Sequence, residues 1–145
     1  MREIKKILLP IDFSWASIKI LQYAIFLAEK YNAKIFIVNV IGYPHTISGV
    51  PNFISSAKEK MASFLEDNGD QIPVSFESSI LFGHAAENII SYAEMESFDL
   101  IIIGTHGHKG LEKMLLGSVA EKVIKLAPCP VLTINTYRQD EEEGS

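Results

Sequence analysis

Two short blocks carry the groups whose types and spacing could do chemistry. The first is Gly104-Thr105-His106-Gly107-His108-Lys109-Gly110; the second, Gly117-Ser118, begins after nine intervening residues counted from Gly107. Glycines lack a Cβ, so a backbone can turn sharply there and lie against a ligand. Gly117-Ser118 opens a segment of helical period, where free N–H groups and the positive end of a helix dipole converge, a place where a phosphate can dock. The Ser118 hydroxyl is a further donor. His106 and His108 can donate to a phosphate oxygen whether charged or neutral, and Lys109 can act as a point charge. The same residues also read as ordinary surface: glycines punctuate turns, Ser118 caps a helix, and loop histidines and lysines are solvated. The nine-residue gap fits neither the Walker A loop nor a G-x-G-x-x-G turn after the first strand, which argues against a P-loop hydrolase and a nicotinamide-dependent dehydrogenase.

A second group of candidates closes other apolar runs. Pro10-Ile11-Asp12 ends the first run, and Asp12 beside a bound phosphate can hold Mg²⁺ through water. Val40 closes the second. Catalytic patterns are sparse: there is no Cys/His pair with a base, no H-E-x-x-H and no G-x-S-x-G elbow. His84 reads as a surface residue at a helix start. Trp15, just past Asp12, reads as an ordinary packing residue with the alternative of covering a ligand. The lone Cys129, between Pro128 and Pro130, reads as a buried structural thiol.

These residues must be positioned by alternating elements. Ile7–Ile11, Ile35–Ile41, Leu100–Ile103 and Val131–Ile134 are near-continuous apolar runs, as parallel strands covered on both faces require. Val74–Ile80 alternates and reads as an edge strand. Between them lie helical periods. The first starts from Ser14, whose hydroxyl can cap it, with Ile18, Leu21, Ala24, Ile25 and Ala28 on its apolar face. The second carries Ala57, Met61, Phe64 and Leu65 and stops near Asn68-Gly69. The third, after Gly83, carries Ala86, Ile89, Ile90 and Ala93, and the fourth, from Ser118, carries Val119, Val123 and Leu126. Strands separated by helices force a parallel sheet with right-handed crossovers, so the expected fold is a doubly wound α/β domain with five parallel strands; the expected order is the Rossmann-like 3-2-1-4-5. Ligands of such sheets sit beyond the carboxyl ends of the strands at the switch point. Gly42 to Asn52 is the one long irregular connection and reads as a binding loop or lid.

The chain has 145 residues, of which 48% are hydrophobic and 21% charged. It is expected to form one globular domain over 1–137, followed by a solvated acidic tail over 138–145. A net charge of −5 with scattered basic residues argues against nucleic acid. No apolar run approaches the roughly 20 residues that span a bilayer, and the short N-terminal apolar stretch is cut at Pro10 and Asp12, unlike a signal peptide. A single cysteine fits a reducing compartment, so the expected location is the cytoplasm.

The pattern Gly104-x-x-Gly107, nine residues, Gly117-Ser118 resembles the ATP-binding signature of the universal stress proteins. The resemblance extends over Ile7-Leu8-Leu9-Pro10-Ile11-Asp12, Leu115-Leu116-Gly117-Ser118-Val119-Ala120-Glu121-Lys122-Val123 and Ala127-Pro128-Cys129-Pro130-Val131-Leu132. It implies that Asp12 contacts the adenosine part, that Pro10 and Ile11 line the base pocket, and that the Val40 backbone reads the adenine edge. It further implies that Gly104, Gly107, Gly117, Ser118 and the Val119 N–H hold ribose and phosphates, with Thr105 and His106 in the same loop. The implied ligand is ATP, with ADP or AMP as alternatives and Mg²⁺ as companion. The implied assembly is a homodimer through the last strand, Pro130 to Ile134, acting as a nucleotide-dependent regulator on an unnamed protein partner. A slow ATP-hydrolysing or AMP-transferring enzyme of the same fold is a second reading. The pyrophosphatase relatives carry a glycine pair after the first strand, where this chain has Asp12-Phe13-Ser14-Trp15. A nucleotide-independent dimeric interaction module is a third.

Overall fold

The computed structural model describes residues 3–42, 50–106 and 116–136. Its elements are β1 (Lys6–Pro10), α1 (Trp15–Tyr31), β2 (Lys34–Ile41), α2 (Val50–Asn68) with a single 3₁₀ turn Gly69–Gln71, β3 (Phe76–Phe82), α3 (Ala85–Met95), β4 (Leu100–Gly104), α4 (Ser118–Leu126) and β5 (Val131–Ile134). All pairings are parallel, as the β-α alternation predicts, and the strand order is β3-β2-β1-β4-β5, the expected Rossmann-like one.

Handedness then fixes the layers. The crossovers β1 to β2 and β2 to β3 step one way along the sheet, whereas β3 to β4 and β4 to β5 step the other way. Right-handed crossovers in opposite directions lie on opposite faces. Accordingly, Ile20, Leu21, Ala24 and Ala28 of α1 and Met61 of α2 share one buried cluster with Ile7, Leu9, Ile35, Ile37 and Ile102. Ala86, Ile89 and Ala93 of α3 and Val123 of α4 form the other, with Leu8, Val38, Ile101 and Ile103. Successive strand residues feed the two cores alternately, which is why the strands read as unbroken apolar runs.

Several boundaries differ from the sequence reading. β3 lies two residues later than Val74–Ile80, because the register pairs Phe76 with Ile35 and carries the strand on to Phe82. The irregular stretch ends earlier than Asn52: α2 already runs from Val50, with Pro51 in its first turn, where a missing N–H breaks no helical bond. Residues 43–49 of that stretch, residue 137 and the expected tail over 138–145 lie outside the described residues. Ser14 does cap α1 by position, but its side chain makes no capping bond. Ile18 and Leu126 face outward, at 44% and 58% exposure, since Ala16, Ser17 and Ile20 hold the inner face of α1 and Ala120 and Val123 that of α4. Trp15 is exposed rather than packed, and Cys129 is half-buried against the α3/α4 core rather than enclosed.

Two features of this frame yield predictions. At the end of β4, a Cβ on Gly104 would come within 2.8 Å of Thr136 Cγ2 and 3.0 Å of Ile20 Cδ1. Both side chains are buried, and Thr136 is stiff at χ1. Gly104→Ala should therefore cost about 1–3 kcal/mol by overpacking, read as a lower denaturant midpoint at unchanged slope. On the other face, Lys122 of α4 pairs with Glu87 of α3. The hydrogen bond from Lys122 and that of its own backbone hold the Glu87 carboxyl below its ordinary value. A depressed carboxyl adds stability above its unfolded pKa that is lost as pH falls through the folded value. Glu87→Gln should thus lower the melting temperature slightly at neutral pH, and the gap from the parent should close as pH falls through the carboxylate range. The pair is exposed, so salt should shrink the gap as well.

Candidate functional site

The sheet opens where β1 and β4 part. β1 pairs with β2 over five positions, to Pro10↔Val38, but with β4 only at Ile7↔Leu100 and Leu8↔Ile101. Pro10 has no N–H with which to extend the β4 side. Beyond that point lies a cavity of about 280 Å³ at the carboxyl ends of β1, β2 and β4 and the start of α4. This is the switch point of the fold, where β1 leads one way and β4 the other.

The cavity collects every nucleotide-site candidate that falls in the described residues. Pro10, Ile11 and Asp12 line it from β1, and Val40 from β2. Gly104, Thr105 and His106 come from β4, and Gly117, Ser118 and Val119 from the start of α4. Gly107, His108 and Lys109 lie outside the described residues. His84, by contrast, is the N-cap residue of α3, on the surface as expected. Asn39, Ile103 and, on α3, Ala85 and Ile89 also line the cavity, although none stood among the sequence candidates. The α3 residues carry no signal of a site, since their period announces only a core face. Asn39 does carry one: it is the single polar residue in the run Ile35–Ile41.

Each wall is held by local chemistry. Asp12 Oδ1 accepts the Ser14 N–H at 3.0 Å and the buried Ser17 hydroxyl at 3.3 Å. This Asx-type turn ties the end of β1 to the first turn of α1. Within that turn Phe13 has φ 64°, a left-handed conformation that a bulky side chain rarely takes. Such strain costs about 1–3 kcal/mol and persists only where the surroundings impose it. Here the Phe13 ring packs edge-on against Phe64 of α2 at 6.2 Å. Asp12 itself is exposed to solvent.

The β4 wall is cross-tied. Thr105 N–H donates to the Ile134 carbonyl of β5 at 2.9 Å, and the Thr105 carbonyl accepts the Gly117 N–H at 2.7 Å. Thr105 Oγ1 lies 2.9 Å from His106 Nδ1 and accepts the Thr136 N–H at 3.4 Å. The buried Thr136 hydroxyl donates to the His106 carbonyl at 3.5 Å. The missing Cβ of Gly104 lets β4 pass Thr136 and Ile20, a packing reason that stands beside any approach to a ligand.

At the fourth wall, Gly117 is the N-cap of α4, with φ −69° and ψ 155°, and no side chain caps the helix. The first-turn N–H groups thus lie at the cavity without a side-chain cap, the arrangement that suits an anion. The remaining lining is mostly apolar, with Ile11, Val40, Ile89 and Ile103 among it. Apolar side chains thus line one part of the cavity and the N-terminal end of α4 another. Among the described residues, no cluster of three His, Cys, Asp or Glu could hold a metal ion by itself. No described helix is long and apolar enough to cross a membrane.

Comparison with known proteins agrees with this geometry. The sequence pattern of the universal stress protein family matches residues 3–135. The universal stress protein MJ0531 of Methanocaldococcus jannaschii is 33% identical over 147 residues, covering 94% of this chain and 85% of that protein. The solved structure of MJ0577, from the same organism, superposes with a TM-score of 0.78 at 31% identity, covering 96% of this chain and 99% of that one. The fold also matches an Archaeoglobus fulgidus universal stress protein in complex with dAMP (TM-score 0.71, 22% identity, 92% and 100% covered). A further universal stress protein, in complex with cAMP, matches at TM-score 0.66 and 20% identity, with 93% and 99% covered. By sequence pattern, by identity over nearly its whole length and by strand order, this chain belongs to the universal stress protein family.

Proposed function

We propose that this protein binds an adenine nucleotide, ATP with ADP or AMP as alternatives, and acts as a homodimeric regulator whose state follows nucleotide occupancy. The observation that carries the reading is the convergence of Asp12, Val40, Gly104-Thr105-His106 and Gly117-Ser118-Val119 on one cavity at the switch point, with the uncapped start of α4 at its edge. The base enters between the apolar walls beside Val40. The ribose lies toward Asp12, and the phosphates lie against the Gly117, Ser118 and Val119 backbone and the Ser118 hydroxyl. That fold relatives have been solved with dAMP and with cAMP supports the adenosine part of this reading.

Magnesium accompanies the nucleotide in this scheme. Asp12 Oδ2 makes no hydrogen bond among the described residues, and a single carboxylate suits a cation that is otherwise held by phosphate oxygens and water. The dimer is proposed through β5. Among the described residues it is one of the two edge strands, β3 being the other, with β4 as its only strand neighbour, and an unpaired apolar edge such as Val131–Ile134 recruits a partner. Regulation then works as a population shift: nucleotide favours whichever arrangement it contacts better.

The test is titration calorimetry with ATP, ADP and AMP in magnesium, beside sedimentation of the same samples. Micromolar binding by a dimer is expected. Asp12→Ala and Gly117→Val should each weaken binding tenfold or more, the scale of losing a charge-assisted bond of about 1.5–3 kcal/mol. Valine adopts the extended backbone of Gly117 without strain, so an unchanged melting temperature would separate blocked approach from unfolding. Absence of heat with any nucleotide from a folded protein would overturn the nucleotide reading, and a monomer at all concentrations would overturn the dimer.

A further inference from the structure

Asn39 stands out in β2. It is the only polar side chain from Ile35 to Ile41 and is half-buried at the cavity wall, in a type of element that disfavours asparagine. Two residues earlier, Ile37 is fully buried in the α1/α2 core, and alternation places Asn39 on that same face of the strand. A residue this costly to bury must satisfy its amide, and it does: Nδ2 donates to the Ile11 carbonyl at 2.8 Å.

That carbonyl sits where a strand ladder gives out. The β1–β2 register ends at Pro10↔Val38, and the Ile11 N–H still donates to the Val38 carbonyl at 2.8 Å. In a parallel ladder the next bond would run from the Val40 N–H to the Ile11 carbonyl. Here a side chain occupies that acceptor instead. Ile11 is therefore gripped by β2 through both of its backbone groups, the N–H by Val38 and the carbonyl by Asn39. Immediately after it comes the turn in which Asp12 accepts Ser14 and Ser17 and Phe13 takes its left-handed φ.

We infer that Asn39 is a positioning residue of the nucleotide site, holding the Ile11 carbonyl so that the strained turn after it presents the Asp12 carboxylate to the ligand. This rests on the nucleotide reading above and adds to it a residue outside the glycine signature. A strained turn does not keep its shape unaided. The Asn39 bond is the fixed point on its upstream side, as the Phe13–Phe64 contact is within the turn itself. Asn39 acts through Asp12, so the two should not contribute independently.

The experiment is a double-mutant cycle read by ATP titration, using Asn39→Ala and Asp12→Asn in the full chain. Asn39→Ala should weaken ATP binding about tenfold in the parent and under about twofold in the Asp12→Asn background, because neighbouring residues acting as one unit are non-additive. Asn39→Ser, polar but too short to reach the carbonyl, should behave as alanine does and serves where alanine fails to fold. In the free protein, the Ser14 amide, which bonds Asp12 Oδ1, should exchange several-fold faster in either variant, while core strand amides stay protected. Equal losses in both backgrounds, or an unchanged Ser14 amide, would assign Asn39 a packing role only and overturn the inference. A parent protein that binds ATP, weakened by Asp12→Asn but not by Asn39→Ala, would overturn this inference alone. A folded parent that binds no nucleotide would overturn the underlying reading, and this one with it.

Discussion

The β1–β4 ladder stops after two register pairs, and the rest of the site depends on that early stop. Past those pairs the two strands part, and the cavity opens at their carboxyl ends. Pro10 contributes by chemistry, having no N–H to give. The two strands that part there are each tied on their outer flank. On the β2 side Asn39 takes the Ile11 carbonyl, and on the β5 side Thr105 bonds Ile134, Thr136 and Gly117. The cavity thus lies between two strand ends whose backbone groups on the outer flanks are hydrogen-bonded.

The β4 flank also joins the cavity to the sheet edge. Thr105 bonds β5 at Ile134, and Thr136, buried just after β5, returns to Thr105 and His106. Gly104 permits this contact, since any larger residue would drive Thr136 and Ile20 away. A shift of the His106 backbone cannot leave the end of β5 untouched. Through one buried threonine, the wall of the cavity and the edge strand share a single packing arrangement, and close-packed interiors pass on such displacements rather than absorb them.

What is legible in the sequence, and what is not, follows from the physics of each part. The strands are plain because both faces are covered, so apolar runs have no competing reading; the exception is β3 at the edge, where a wetter face blurs the register by two residues. Helix existence is plain, but helix facing is not. Ile18 and Leu126 fit the period, yet small residues such as Ala16 and Ala120 take the inner face where a helix lies close to the sheet. The glycines and Ser118 are legible by spacing. The packing role of Gly104 is not, because its reason is Thr136, thirty-two positions away. Asn39 is visible as an oddity but has no meaning until the ladder end places the Ile11 carbonyl opposite it.

The start of α4 shows how such a site is made rigid without strong local structure. A helix of nine residues is too short to persist alone, since nucleation is costly and few bonds offset it. Its position is set from outside. Ala120 and Val123 are buried, the latter in the α3/α4 core, where Val123 alone contributes about 1.5–3 kcal/mol. Lys122 reaches Glu87 on α3, and the Gly117 N–H is pinned to Thr105. These constraints lie behind and beside the helix and leave its N-terminal groups facing the cavity. A side-chain cap would have made α4 more stable by itself, but it would have occupied the same N–H groups that an anion needs. The absence of a cap at Gly117 and the tertiary anchoring of Ala120, Val123 and Lys122 are therefore two halves of one arrangement: stability is supplied by packing so that the helix end can remain open to a ligand.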